Sequence, residues 1–376
     1  MELAEHSDCT GCVLCVHACP GQCIAWERKE LGHEYPVIDS SRCIECGLCK
    51  KVCPVFSKPR RKTPYVAYAG WAKDEEEYRS STSGAAAALL SKAVLQKGGV
   101  VYGCTALPGL SIEHVRVDRE SDVSRLKGSK YVKSDLSGVF APLKEDISQG
   151  KEVLFIGTPC QVAAVANLNP SRPANLFLID MVCHGVPSQA FLREYFSGDL
   201  KVSPEKIATV RFRKDNEVRT EAFDSQGNVL YRSSEYRTDR RKDPYYGCFM
   251  KGYSFRESCY HCAYSCPERV SDMTIGDFWG LGRMYPCNLP PHDYGVSLLM
   301  PLTGKGDLLM DMVRDKMHLF ERPVDEAIQG NDHLRFPLTK SSAAGLFRKL
   351  YPTLGIRRSF KLVDLLRRLR GRFSAR

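Results

Sequence analysis

The sequence predicts two parts of different fold class, a small α+β module at the N-terminus and a larger mixed α/β body behind it. Residues 1–56 hold two copies of one cysteine run, with short strands predicted at Gln22–Trp26 and Tyr35–Asp39. A segment rich in proline and charge, Ser57–Pro64, marks a boundary. Beyond it, apolar stretches of strand length alternate with stretches of helical periodicity, which is typical of a mixed α/β fold.

The cysteine run C-x2-C-x2-C-x3-C-P begins at Cys9 and again at Cys43. Two such runs hold two 4Fe–4S clusters in bacterial-type ferredoxins, and the fourth cysteine of each run ligates the other cluster. Zinc usually takes pairs of C-x2-C, and disulfides need an oxidising compartment, so both alternatives are disfavoured. The predicted ligand sets are Cys9, Cys12, Cys15 and Cys53 for one cluster, and Cys43, Cys46, Cys49 and Cys19 for the other.

The composition of the chain disfavours a membrane-spanning or exported protein. The chain has 376 residues, a formal net charge of +10 and seventeen cysteines. It has no apolar run long enough to span a membrane, and its N-terminus is too polar and acidic for a signal peptide. We therefore expect a cytoplasmic protein that uses thiols for metal binding or redox chemistry.

The last residues, 351–376, form a predicted basic tail helix with leucines at helical spacing. It is expected either to dock on the body or to contact an anionic membrane surface or an acidic protein. Nucleic acid is not expected as a partner, because no basic stretch is interleaved with aromatic residues for base stacking.

The body is divided into residues 65–173 and 174–350. In the first part, Ser80–Gly84 is expected to cap a helix at Ala85–Gln96, and a buried strand at Lys151–Gly157 to feed a helix at Pro159–Leu168. In the second part, the near-continuous apolar stretch Leu176–Val182 predicts a strand buried on both faces. Strand segments are predicted at Lys206–Lys214 and Val218–Tyr231, and a helix at Asp243–Phe255.

Two motifs follow the buried strands. Gly157–Gln161 (GTPCQ) stands at a predicted helix N-terminus, where free N–H groups favour an anion and a thiol pKa is lowered. Cys160 is therefore open to three interpretations: cluster ligand, redox thiol or bystander. Cys183 and His184 follow the next strand, where open α/β sheets place their ligands, so His184 either contacts a bound ring or is a satisfied turn histidine.

A third group of cysteines comprises Cys259, Cys262 and Cys266, with Cys248 and Cys287 nearby in sequence. The group could hold another 4Fe–4S cluster or a zinc ion, or could consist of structural thiols. Further on, Asp277 ends a predicted strand, where it could bind a cofactor or orient Arg269.

Two small polar loops complete the candidate set, one at Ser80–Gly84 and one at Lys127–Tyr131 (KGSKY). Each offers hydroxyl groups and backbone donors suited to a phosphate, and the second adds two lysines.

Taken together, these segments resemble the coenzyme F-420 hydrogenase/dehydrogenase beta-subunit family. The matching pieces, in order, are STSG (Ser81–Gly84), KGSKYVKS (Lys127–Ser134), GTPCQVAAV (Gly157–Val165), DMVCHGVPS (Asp180–Ser188), SCYHC (Ser258–Cys262) and RVSDMTIGDFWG (Arg269–Gly280). One departure is that STSG is followed by four alanines, where many members carry further glycine.

The resemblance implies a dicluster ferredoxin-like module followed by a mixed α/β flavin-binding body that holds FAD or FMN. A flavin exchanges single electrons with the clusters and electron pairs with an organic substrate. The implied flavin-lining residues are Ser81, Thr82, Ser83, Gly84, Lys127, Ser129, Lys130, Tyr131, Gly157, Thr158 and Gln161. His184 and Cys160 are the implied catalytic proton donors.

The expected function is an iron–sulfur flavoprotein oxidoreductase. Its electron partner would be reduced ferredoxin or a deazaflavin coenzyme such as coenzyme F-420, and its substrate a small organic molecule. Two alternatives remain: a non-catalytic electron-transfer subunit of a larger redox complex, and a regulatory or scaffold protein that uses its clusters structurally or as a redox sensor.

Overall fold

The structure, a computed structural model, describes residues 3–214, 217–236, 238 and 243–373. The N-terminal part is a small ferredoxin-like module. Its two cysteine runs each contain a short helix, and an antiparallel hairpin lies between them. Its elements are α1 (Leu14–His17), β1 (Ile24–Arg28), β2 (Glu34–Ile38) and α2 (Leu48–Val52).

The body that follows is a mixed α/β domain. Its strands are β3 (Ala67–Ala72), β4 (Val100–Leu107), β5 (Ser111–Val117), β6 (Val153–Gly157), β7 (Leu176–Met181), β8 (Thr209–Lys214), β9 (Glu217–Phe223), β10 (Val229–Arg232), β11 (Met273–Asp277), β12 (Ser297–Pro301) and β13 (Met317–Arg322). Its α-helices are α3 (Glu75–Ser80), α4 (Ala86–Gln96), α5 (Phe140–Ser148), α6 (Pro159–Leu168), α7 (Gln189–Glu194), α8 (Pro244–Met250), α9 (Gly304–Asp311), α10 (Val324–Gly330) and α11 (Ser342–Phe373).

Within the described residues, an eight-stranded mixed sheet organises the body in the order β13-β3-β12-β11-β7-β6-β4-β5. The four strands β11, β7, β6 and β4 are parallel, and the outer strands pair antiparallel to their neighbours. Strands β6 and β7 are almost wholly buried, as expected for strands covered on both faces. A second, antiparallel sheet contains β10, β9 and β8.

The predicted strand–helix pair in the centre of the sheet is confirmed. Strand β6 ends at Gly157, and α6 begins at Pro159, a residue that suits the first helical position. The N-terminal end of α4 differs from the prediction. Its N-cap is Ala85, in a left-handed conformation with φ 67°, and no side chain of the Ser80–Gly84 loop caps it.

Other predicted elements differ in length. The predicted Val218–Tyr231 strand region is two strands, because a turn with Gly227 at φ 84° separates β9 from β10. Helix α8 ends at Met250 rather than Phe255, since Gly252 takes φ 62° and terminates it. The tail helix α11 begins at Ser342, before the predicted start at residue 351, and is interrupted at Gly355. No helix among the described residues combines the length and apolarity that a membrane span requires.

The N-terminal module is docked firmly on the body. Ser188 donates a hydrogen bond to the carbonyl of Leu31, and the side chain of Ala190 lies so close to Gly32 that a Cβ there would meet it at 2.4 Å. The connecting segment is also tied down, because Lys62 and Arg269 exchange two backbone hydrogen bonds of 2.7 and 2.9 Å. The two parts therefore meet through a buried interface rather than a loose tether.

Candidate redox site

The structure brings the N-terminal cysteines together in the two crossed sets. The Cys15 thiol lies close enough to Cys9, Cys12 and Cys53 for each to raise its pKa, although burial is the larger cause. Cys19 and Cys46 likewise raise the pKa of the Cys49 thiol, and burial is again the larger cause. One cavity is lined by Cys19, Cys43, Cys46 and Cys49 together. These residues fit two cubane clusters, because the last cysteine of each run faces the thiols of the other run.

The first set, which contains Cys9, is buried against positively charged residues of the body. Arg256, only 1% exposed, donates from Nη2 to Cys9 Sγ at 3.3 Å and from Nε to the Cys9 carbonyl at 2.5 Å. Lys133 donates to the carbonyl of Gly11, and burial lowers the pKa of its ammonium group. Ser258 adds a hydrogen bond of 3.1 Å to the same Cys9 carbonyl. The body thus surrounds this set with hydrogen-bond donors and positive charge.

A further group of buried thiols lies just inside the first set. Cys160, at the start of α6, and Cys183, after β7, lie beside the Cys259–Cys262 loop. Neighbouring thiols of this group raise the pKa of both residues. Burial, with these neighbours, raises the pKa of Cys160 to about 11 and that of Cys259 to about 12. The expectation that the helix N-terminus lowers the Cys160 pKa is therefore wrong, because desolvation and nearby thiols outweigh the helix dipole.

We call Cys160, Cys183, Cys259 and Cys262 the inner thiols. Four neighbouring thiols are suited to a cationic centre, because metal ligation displaces their protons. Among the described residues, no three Cys, His, Asp or Glu side chains stand close enough to share one metal ion. Ligands of a cubane each bind a different iron, so they stand further apart than the ligands of a single zinc ion.

The other cysteines of the predicted third group lie elsewhere. The Cys266 thiol donates to the carbonyls of Ala263 and Glu268 and accepts from Arg61 at 3.3 Å. Cys248 is buried in α8, and Cys287 is exposed. Cys12 of the first set lies close enough to Cys160 to raise the pKa of its thiol, so the inner thiols adjoin the first set.

The predicted flavin segments meet at one edge of the eight-stranded sheet. The parallel strands β4, β6, β7 and β11 place their carboxyl ends there, followed by Gly157–Gln161 after β6 and His184 after β7. Strand β12 runs antiparallel to β11 and begins at the same edge, where Gly84 donates to Ser297 Oγ at 2.9 Å. This edge is where open α/β sheets bind ligands.

The two polar loops are joined through Glu77. Its carboxylate accepts from Lys127 at 2.7 Å and from Ser81 at 2.9 Å. Lys127 also donates to Ser80 at 2.7 Å, and Lys130 donates to the carbonyls of Leu126 and Lys127. Both lysine ammonium groups are thus occupied by protein partners. Ser83 is occupied as well, by the carbonyl of Val296 at 2.7 Å, so the hydroxyls of Thr82 and Ser129 are the ones left to face a ligand.

Gln161 ties the start of α6 to the second loop. Its Oε1 accepts from the backbone N–H of Thr158 at 3.0 Å, and its Nε2 donates to Ser134 Oγ at 2.9 Å. Ser134 also contacts His114 Nδ1 at 2.9 Å, and burial lowers the pKa of His114 to about 4. Gln161 is buried, so it acts as a brace between two candidate binding segments.

His184 shares a hydrogen bond between its Nδ1 and Nε2 of His333. Burial and the nearby His333 lower the pKa of His184 to about 4, so the ring is neutral at pH 7. The ring packs edge-on against Phe249, which stacks on Tyr131 of the second loop at 4.6 Å. His184 and Tyr131 thus line the same aromatic wall.

Two buried polar atoms near this wall have no hydrogen-bond partner among the described residues, Nδ1 of His333 and Nε of Arg213. Arg213 forms an ion pair of 2.9 Å with Asp277 at the end of β11, whereas Arg269 pairs with Asp180. The alternative that Asp277 orients Arg269 is therefore wrong. Unsatisfied buried polar atoms are costly, so these atoms fit a site that receives a polar ring.

Comparisons with known proteins identify two kinds of domain in the chain. Residues 150–327 match the family model for the C terminus of the beta subunit of coenzyme F420 hydrogenase/dehydrogenase. Residues 8–57 and 39–107 match two models of a 4Fe–4S dicluster domain. This chain carries the C-terminal domain of the coenzyme F-420 hydrogenase/dehydrogenase beta-subunit family behind an N-terminal 4Fe–4S dicluster domain.

Individual relatives are more distant. A chain of the F420-reducing NiFe hydrogenase complex from Methanosarcina barkeri is 19% identical, with a TM-score of 0.46, over 81% of this chain and 92% of that chain. An uncharacterized protein from the rpl9–rpl11 intergenic region of Porphyra purpurea is 38% identical over 48 residues, or 12% of this chain. The chain spans 64% of the length of that curated relative.

The structure adds residues and groupings that the sequence patterns do not indicate. Cys183 follows a buried strand, which indicates a ligand site, but no pattern in the sequence joins it to the Cys259–Cys262 loop. Lys133 lies within the second matching motif. No sequence pattern pointed to Arg256 or His333.

Proposed function

We propose that this chain is an iron–sulfur flavoprotein oxidoreductase that exchanges electrons between a carrier, reduced ferredoxin or a deazaflavin such as coenzyme F-420, and an organic substrate. The supporting observation is that three thiol sets adjoin one another from the surface inward. The last of them includes residues from the sheet edge where the candidate flavin segments meet.

We propose that the inner thiols hold a third 4Fe–4S cluster and that Cys266 does not. Cys160 then serves as a ligand rather than as a proton donor, in place of the catalytic role that the sequence suggested. Its position beside Cys183 and the Cys259–Cys262 loop supports ligation. A thiol with a pKa of about 11 is a poor acid at neutral pH, which disfavours the proton-donor role.

FAD or FMN at the sheet edge would supply the conversion between one-electron and two-electron chemistry. The chain's own residues would position it. The Ser81–Gly84 loop and the Lys127–Tyr131 loop would offer hydroxyls and backbone donors, with Tyr131 and Phe249 as the aromatic wall. His184 is neutral and is held at Nδ1 by His333 and at Nε2 by the Met250 carbonyl, so it would support the wall beside the ring rather than bond the ring.

Iron content tests the ligand assignment. Anaerobically prepared protein should contain about twelve iron atoms and about one flavin per chain, from three clusters of four irons. Cys183→Ser should lower the iron content to about eight, whereas Cys266→Ser should leave it at about twelve. Eight irons in the unmodified protein, or equal losses in both variants, would contradict a cluster at the inner thiols.

Donor specificity tests the reaction. Reduced ferredoxin or reduced deazaflavin should bleach the flavin absorption, whereas NAD(P)H alone should not. Cys46→Ser should abolish reduction by ferredoxin while the flavin stays bound. Flavin reduction by NAD(P)H only, or unchanged reduction in Cys46→Ser, would refute the assigned direction of electron supply.

A second candidate function is an electron-transfer subunit of a larger complex. The family description names a beta subunit, and helix α11 exposes a row of leucines that suits a protein contact. Such a subunit would bind no dissociable small substrate when purified alone, so equilibrium binding with candidate substrates distinguishes the two functions.

A further inference from the structure

We propose that the outer surface of the second thiol set is a docking face for a small acidic protein that carries one electron. The docking face is defined by Arg42, Ile44, Cys46, Leu48, Lys50, Lys51 and Phe56. The inference rests on the proposed function, because it takes the second set as the place where electrons arrive.

Exposure distinguishes the two N-terminal sets. Cys9 of the first set is buried under Arg256, whereas Cys46 of the second set is exposed. Ile44, two residues away, is 70% exposed, although it also lines the cavity that holds the four thiols. Single-electron transfer needs close approach, so a protein carrier gains the shortest path at this face.

The apolar part of the docking face is larger than one side chain. Leu48 is 38% exposed at the start of α2, and Phe56 just beyond that helix is 40% exposed. Lys50 lies over the Phe56 ring at 5.0 Å, so a positive charge borders the apolar area. An exposed apolar patch with a charged rim is typical of a protein interaction site.

The positive charge of the docking face favours an acidic partner. Residues 41–62 contain seven lysines and arginines and one acidic residue, Glu45. Arg42, Lys50 and Lys51 are exposed around the apolar centre. A positive rim attracts a negative partner and speeds its diffusional encounter, while the small apolar centre suits a weak and transient complex. A neutral or basic carrier would lack this attraction.

The proposed reaction at the docking face is the transfer of a single electron. Cys19, Cys43, Cys46 and Cys49 would hold the cluster that accepts the one electron lost by the reduced carrier. No bond forms or breaks between the two proteins, and no proton is required at the docking face.

Charge reversal tests the docking face. The probe is a bacterial dicluster ferredoxin of net negative charge, used reduced for stopped-flow kinetics and oxidised for equilibrium binding by calorimetry. In the double variant Lys50→Glu/Lys51→Glu, the second-order rate constant at low ionic strength should fall by about tenfold or more, and the affinity should fall with it. The difference from the unmodified protein should shrink at high salt.

Matched variants separate charge at this face from charge in general. Lys97→Glu/Lys144→Glu makes the same charge change at two exposed lysines of the body and should leave binding and rate unchanged. Ile44→Glu should weaken binding through the apolar centre. Iron content is measured for every variant, and rates are expressed per loaded chain.

A neutral small donor provides the last comparison. Photoreduced deazariboflavin should reduce the Lys50→Glu/Lys51→Glu and Lys97→Glu/Lys144→Glu variants at the same rate as the unmodified protein, because it needs no docking. If the ferredoxin binds and reduces the Lys50→Glu/Lys51→Glu and Ile44→Glu variants as it does the unmodified protein, the docking face is refuted while the proposed function stands. If the charge effect is present but the flavin is never reduced, the docking face stands and the proposed function fails.

Discussion

Arg256 is the residue that most directly links the body to the first thiol set. Its guanidinium contacts the Sγ and carbonyl of Cys9 and lies over the Tyr35 ring at 3.9 Å. Hydrogen bonds and positive charge near cluster sulfurs favour the reduced state, which carries one more negative charge. Arg256 is therefore expected to raise the reduction potential of this cluster.

Replacing Arg256 should lower that potential. In Arg256→Gln we expect a decrease on the order of 40 mV, corresponding to about 1 kcal/mol for one electron. Arg256→Lys keeps the positive charge but loses the planar guanidinium group. Its reduction potential should therefore lie between those of the unmodified protein and Arg256→Gln. Redox titration followed by electron paramagnetic resonance measures the shift, and an unchanged potential in Arg256→Gln would show that the contact is only structural.

At the scale of single elements, helix α11 has two apolar faces with different roles. Ile356, Phe360 and Val363 are buried against the body, and Lys251 forms an ion pair with Asp364. The expectation that the tail docks on the body is thus confirmed for this face. The outward leucines at positions 362, 365, 366 and 369 are 37–53% exposed. Residues 351–376 also contain eight lysines and arginines and one aspartate.

The outward face remains a predicted contact for an anionic membrane surface. Vesicles of phosphatidylcholine and phosphatidylserine should sediment with the protein, and vesicles of phosphatidylcholine alone should not. Leu365→Ser/Leu369→Ser should reduce sedimentation several-fold, whereas Leu308→Ser, at an equally exposed leucine of α9, should not. Equal sedimentation of all three proteins would contradict the membrane contact.

Elements built from local patterns were predicted well, and those that depend on distant contacts were not. Helix α6 begins where the sequence predicts it, directly after a buried strand. The cysteine spacing predicts the two crossed sets, and their role as cluster ligands stays a prediction. The inner thiols come from α6, from the end of β7 and from a loop after α8, so only the parallel order of β6 and β7 brings them together. Likewise, Ala85 adopts φ 67° because the packing of Gly84 against Gly70 and Ser297 fixes the loop.

For the molecule as a whole, buried histidines make stability depend on pH. Burial lowers the pKa of His114 to about 4 and that of His33 to about 3. An unfolded histidine has a pKa of about 6.5, so the unfolded chain binds more protons than the folded chain between these values. Stability should therefore be full above pH 6.5 and fall as the pH decreases toward 4.

His114 offers a specific test of this dependence, since it contacts Ser134 and the carbonyl of Ile156. Lowering the pH from 7.5 to 5.5 should cost on the order of 1 kcal/mol through this group. In His114→Gln, the decrease in thermal midpoint over that interval should be smaller than in the unmodified protein. The same decrease in both would exclude His114 as a contributor.

The buried seam that joins Leu31 and Gly32 to Ser188 and Ala190 also constrains how the protein can operate. A carrier domain on a flexible arm must swing between two positions, and its turnover slows as the solvent thickens. Here the N-terminal module is fixed against the body. The rate of electron transfer within the protein should therefore not change when glycerol or sucrose is added. Viscosity should then matter only for the arrival of a separate partner.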